Sequence, residues 1–202
     1  MVNILSVDFD WIMEPCINLY NGMADDGINL SQNVEELKHI QCVPDYNKFY
    51  QISVYIKNIA KAINDNSKIY FCDKHREILD CINDKWKLDI PVHIYNIDHH
   101  HDCGYFGDIK KNTENGPGSN NWALMSDKIK KYTWINNKNS ETISLNNDII
   151  QHFDMFEQSS DINLINYIKF DYIFVCLSPG WVPTELFPLF DTLHFMIKEN
   201  GA

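Results

Sequence analysis

At 202 residues the chain is long enough for one domain and short for two, and 45% hydrophobic with 13% aromatic residues supplies a core, which excludes disordered and fibrous classes. Seventeen Lys plus Arg against 28 Asp plus Glu leave a formal charge of −11, which opposes a polyanionic partner, so nucleic acid is not expected as one. The six cysteines, at positions 16, 42, 72, 81, 103 and 176, contain no C-x-x-C pair and read as free thiols of a reducing compartment. The first residues lack the basic flank of a signal peptide, and no apolar run approaches the roughly 20 residues that span a bilayer. The expectation is a soluble, cytoplasmic protein without a membrane partner.

Short apolar runs alternate with helical patterns, the signature of an α/β domain built round a mainly parallel sheet. Ile4–Val7 is the first such run. Phe49, Ile52, Ile56, Ile59 and Ile63 then recur at spacings of three and four, which predicts a helix with one apolar face lying on the sheet. Ile69–Cys72 is the second run, followed by a helix carrying Ile78, Leu79 and Ile82. Val92–Ile97 is the third. Asp102–Asn120, with four glycines and one proline among polar residues, reads as a long loop, and loops of that length in compact domains are often functional. Residues 128–165 carry the weakest pattern: Tyr132–Ile135 reads as a strand and Asp161–Ile168 as a short helix. Tyr172–Leu177 is the last strand, and Leu189, Phe190, Leu193, Met196 and Ile197 mark the last helix. No repeat, low-complexity tract or linker divides the chain, so residues 1–202 are expected to form a single domain.

Chemistry-bearing residues collect where these strands end. In Ser6-Val7-Asp8-Phe9-Asp10 two carboxylates two residues apart point to the same side of the chain, and like charges held so close repel unless a cation or proton lies between them. Asn96-Ile97-Asp98-His99-His100-His101-Asp102 places three imidazoles between two carboxylates. Asp98, His100 and Asp102 share one side and offer two oxygens and a nitrogen to an ion such as Mn²⁺, Fe²⁺ or Zn²⁺. His99 and His101 face the other way, as structural histidines. His75, in Cys72-Asp73-Lys74-His75, stands at a third strand end. Strand ends of one open sheet converge on one pocket, so Asp8, Asp10, His75, Asp98, His100 and Asp102 are the candidate ligands of a two-metal site.

These segments resemble the metal motifs of the arginase/ureohydrolase superfamily, in which a His-bearing segment, an Asp-x-His-x-Asp segment and a paired-aspartate segment ending in Asp-Pro build the centre. Two departures are evident: the paired aspartates stand at the N-terminus, and Asp8-Phe9-Asp10-Trp11-Ile12-Met13-Glu14-Pro15 has one extra residue before its acidic-proline pair. With Asn121-Trp122 and the ending Ser178-Pro179-Gly180-Trp181-Val182-Pro183, the chain is similar to the peptide arginases, which convert arginine in a ribosomally made precursor peptide to ornithine and release urea. The resemblance implies a three-layer α/β/α arginase-like domain and two Mn²⁺ ions per chain sharing a hydroxide. It also implies that Asp8 and Asp98 bridge the metals, that His75 and Asp102 complete one site, and that Asp10 and His100 complete the other. Asp102 would also serve catalysis, Glu14 would bind the guanidinium, and Asn121, Trp122, Ser178 and Trp181 would contact the substrate peptide. Asp8-x-Asp10 also resembles the nucleophile loop of haloacid-dehalogenase-type phosphatases, and Asp98-His99-His100 the motif of Asp-His-His phosphoesterases. A metal-stabilised module that grips a peptide without catalysis is the third alternative.

Overall fold

The computed structural model describes residues 1–13, 44–104, 108–137 and 147–199. Six strands form one sheet: β1 (Val2–Asp8), β2 (Ile69–Cys72), β3 (Val92–Ile97), β4 (Ile129–Ile135), β5 (Met155–Ser159) and β6 (Tyr172–Cys176), in the order β2-β6-β1-β3-β4-β5. Every pairing among them is parallel. Parallel strands need crossovers that cover both faces, and the hydrophobic residues divide accordingly. Leu5 and Val7 of β1 pack with Ile52, Ile56 and Ala60 of α1 (Tyr46–Ile63). Val2 and Ile4 pack on the opposite side with Ile78, Ile82, Trp122 and Ile149.

The α1 helix forms where its apolar spacing predicts it. Asp45 caps its start by accepting from Asn47 N and Lys48 N at 2.9 and 3.2 Å, and Asn64, in the left-handed conformation, ends it. The helix after β2 is less regular than expected: a 3-10 turn His75–Glu77 leads into α2 (Ile78–Asp80), and a π-helical turn Cys81–Lys85 widens its end. That 3-10 turn positions His75. The segment expected as a continuous loop holds α3 (Ile109–Thr113), begun by an Asp108 cap on Lys110 N. The sequence reading also missed α4 (Asn147–His152) and β5, while the final helix, α5 (Phe187–Glu199), and the 3-10 helix Ile162–Tyr167 lie where expected. Among the described residues no helix is long and apolar enough to cross a membrane.

β1, between β3 and β6, is the centre of the sheet, and the chain leaves it towards opposite edges, reaching β2 on one side and β3 on the other. In open parallel sheets that reversal opens a crevice at the carboxyl ends of the strands. Asp8 closes β1 there, and Asp98 directly follows β3.

Candidate metal centre

The carboxyl ends of β1, β2 and β3 bring six expected residues into one buried cluster. His75 Nδ1 lies 3.1 Å from Asp8 Oδ2, 3.3 Å from Asp98 Oδ2 and 3.0 Å from Asp102 Oδ2. His100 Nδ1 lies 3.3 Å from Asp10 Oδ2 and 3.6 Å from Asp98 Oδ1. The donors thus fall into two groups with metal-ligand spacing, Asp8 with His75 and Asp98, and Asp10 with His100 and Asp98. Asp98 is common to both and turns one oxygen to each. Asp8 belongs only to the His75 group, so the sharing expected of two carboxylates is seen for Asp98 alone.

This donor set fits divalent cations. Four aspartates, all at most 5% exposed, are too close to remain ionised together without positive charge among them. Desolvation, reinforced by the charges of Asp8 and Asp98, pushes the Asp10 carboxyl up to about 6. Asp102 is raised well above the usual carboxylate range, by desolvation first and then by Asp98. Burial opposes charge on His75, but hydrogen bonds to Asp102, Asp8 and Asp98 overcome it and raise the imidazole well above its ordinary value. Burial also opposes ionisation of Asp98, yet hydrogen bonds from His100 and His75 hold its carboxyl far below the usual range. In the absence of metal, protons thus compensate the negative charge. Asp10 Oδ1 is buried without a hydrogen-bond partner, as an oxygen that awaits a cation would be.

Neighbouring side chains aim the ligands. Ser178 Oγ donates to Asp8 Oδ2 at 2.5 Å, Asn96 Nδ2 donates to Asp98 Oδ2 at 3.0 Å, and Trp122 Nε1 donates to Asp102 Oδ2 at 2.6 Å. Trp134 Nε1 donates to the Asp98 carbonyl at 3.0 Å. Asp102 and Ser178 both adopt positive φ, 52° and 48°, a costly conformation for residues other than glycine. Such outliers persist where the surroundings over-determine them, as at this cluster.

The residues expected to contact a substrate diverge. Trp122, expected to contact the substrate peptide, is fully buried, its ring 4.8 Å from that of His75, so it is placed to support the cluster from within. Asn121 accepts from Gly118 N and donates to the carbonyls of Gly116 and Asn112, which turns its side chain into the organiser of the 112–118 loop. Ser178 is buried against Asp8. Only Trp181 lies partly exposed, its ring 4.8 Å from His100 at the rim. Glu14 lies outside the described residues. His99 and His101 belong to neither donor group: His99 Nε2 donates to the Met13 carbonyl at 2.9 Å, and His101 Nδ1 accepts from Cys103 N at 3.0 Å.

Ser6 and Asn96 were not anticipated. Both are fully buried polar residues inside apolar strands, each two residues before a cluster aspartate, and they are register partners across β1 and β3. A polar residue at that spacing inside an apolar run was the signal available. Replacing Trp122 by Phe should destabilise the metal-free protein by about 2–4 kcal/mol, combining a lost buried hydrogen bond with a partial cavity. Urea denaturation measures this, and an unchanged midpoint would show that the indole does not support Asp102. Comparison with protein-family models, with curated proteins and with solved structures finds no match.

Proposed function

We propose that the protein is a two-metal hydrolase and, within that class, a peptide arginase that converts arginine residues of a ribosomally made precursor peptide to ornithine and urea with two Mn²⁺. The observation that carries the first part is the division of Asp98, with Oδ2 towards His75 and Oδ1 towards His100. Bound there, a pair of divalent ions would supply Lewis acidity and would lower the pKa of water at the site. Asp8, His75, Asp98 and Asp102 would hold the inner ion, and Asp10, His100 and Asp98 the outer one. Trp122 fixes Asp102 Oδ2, and Ser178 fixes Asp8 Oδ2, so both carboxylates keep their direction without reorganisation.

The guanidinium reading is supported by the motif resemblance and by Trp181, a partly exposed indole at the rim on which a planar cation can stack. A peptide needs room for its flanking residues, and a cavity of about 420 Å³, lined by Trp11, Lys48, Asn136, Asn137 and Asp161, opens next to the turn that carries Asp10. An arginase-like three-layer domain is the corresponding fold proposal.

Purified protein with excess Mn²⁺, incubated separately with arginine peptides, free arginine and phosphate esters, tests the reading. Urea should form from peptides, with free arginine at least about tenfold poorer in kcat/KM, equivalent to about 1.4 kcal/mol of binding in the transition state. Equal turnover of free arginine would overturn the peptide assignment. Phosphate release without urea would establish a phosphoesterase, and two bound metals with neither product would leave a binding module.

A further inference from the structure

We propose that Ser6 is a positioning residue that decides which nitrogen His75 offers to the buried cluster: its hydroxyl holds Nε2, so that Nδ1 faces Asp8, Asp98 and Asp102. The inference rests on the reading of this cluster as a metal centre. Ser6 Oγ lies 2.7 Å from His75 Nε2, and both residues are at most 1% exposed. A hydroxyl in the central strand of a parallel sheet is costly to bury without a partner, and His75 provides one.

The ring has little other freedom. It stacks on Phe174 with centroids 5.7 Å apart and planes 9° apart, and Trp122 covers it at 4.8 Å. Between these walls the imidazole can keep its orientation or turn over by 180°. Turning it over would place carbon atoms where Nδ1 and Nε2 now stand, which would strip the carboxylates of their nitrogen and Ser6 of its bond. Donation of Nε2–H to Ser6 Oγ selects the observed orientation and leaves Nδ1, the atom within 3.0–3.3 Å of three carboxylate oxygens, as the nitrogen that gives up its proton when a cation binds. Chain geometry makes the pairing direct: Ser6 and Asp8 occupy alternate positions of β1 and so share the face of the sheet on which His75 sits.

Outer partners of metal-ligating histidines typically change affinity by 10–100-fold. In the full-length chain, a Mn²⁺ titration followed by the resonance of the free ion should show two equivalents for the wild type, and Ser6→Ala should weaken one of them about 10–100-fold while sparing the other. Long-range ¹H–¹⁵N spectra of the Zn²⁺-loaded, ¹⁵N-histidine-labelled protein supply a signature that general destabilisation would not produce. His75 should appear as the single Nε2–H tautomer in the wild type and lose that uniqueness in Ser6→Ala. Two equivalents bound as tightly by Ser6→Ala as by the wild type would overturn the role. If Ser6→Ala does not fold, the wild-type spectrum alone decides, because metal on Nε2 with Nδ1 protonated is incompatible with the proposal. A wild-type chain that binds neither ion overturns the metal-centre reading itself, whereas two ions bound with His75 coordinated through Nε2 overturn only the role of Ser6.

Discussion

Asp98→Asn should remove both metal equivalents together, and with them the urea release proposed for the site, by more than the hundredfold or so that changes in the ligands' outer partners produce. Asp98 Oδ2 faces His75 at 3.3 Å while Oδ1 faces His100 at 3.6 Å, so one substitution withdraws an anionic donor from each group. Asp8→Asn and Asp10→Asn supply the contrast, because each belongs to one group. Asp8→Asn should weaken the equivalent held with His75, and Asp10→Asn the one held with His100. Metal analysis after dialysis, with a Mn²⁺ titration of all three variants, separates the cases. Retention of one full-affinity ion by Asp98→Asn would show that the carboxylate is not shared, and the two-metal reading would lose the observation on which it stands.

The parts of the fold visible in the sequence are those where burial is strong and regular. β3 is buried at all six positions and shows it through Val92, Ile94, Tyr95 and Ile97, and α1 buries Ile52 and Ile56 at helical spacing. β5 is an edge strand whose pattern shows no buried position, and its exposed Glu157 and Gln158 gave it no apolar period to detect. α4 buries only Ile149. Such elements take their conformation from neighbours, Met155–Ser159 from its ladder with β4, rather than from local pattern.

The same physics divides the site. Asp8, Asp10, Asp98, His100 and Asp102 were recognisable because charged and imidazole groups at a strand's carboxyl end are expensive to bury for any purpose but a site. His75 needed the others for its meaning, since a single histidine at a helix start has many structural uses. What remained hidden were groups whose importance lies in a partner distant along the chain. Trp122 contacts Asp102 across 20 residues, Ser6 contacts His75 across 69, and Ser178 contacts Asp8 across 170. In sequence, a tryptophan is a packing residue and a serine before a glycine-containing turn is a turn residue, and only the fold turns their N–H and O–H groups towards carboxylates and imidazole.

The metal-free protein should lose stability as pH rises from 7 to 8.5, and Mn²⁺ should abolish that loss. His75 is raised well above its unfolded value of 6.5 by its three aspartates, against the opposing pull of burial. A group raised in this way contributes stability that is complete below 6.5 and disappears as pH climbs through the folded value, because the folded chain alone retains the proton. Asp102, raised by desolvation and Asp98, acts in the same direction wherever its native carboxyl still holds a proton that the unfolded chain has released. The depressed histidines act oppositely but at lower pH: burial takes His93 and His101 to about 4, so their contribution grows between about 4 and 6.5 and is complete above it. Asp98, held far below the carboxylate range, is ionised in both states throughout this window. The buried thiols of Cys81 and Cys103, raised by desolvation, begin to matter only as unfolded cysteine ionises near 9. Between 7 and 8.5 the slope therefore belongs to the cluster. The proton that the folded state retains makes stability fall with pH over that interval, and Tm falls with it. Bound Mn²⁺ takes over the charge compensation that the protons provided, so the loaded protein should show a level Tm across the same range and a metal-induced stabilisation that widens with pH. Calorimetry at half-unit intervals, with chelator and with saturating Mn²⁺, measures both curves. Parallel curves would show that metal and protons do not compete for the cluster, which would place the metal somewhere other than among His75, Asp98 and Asp102.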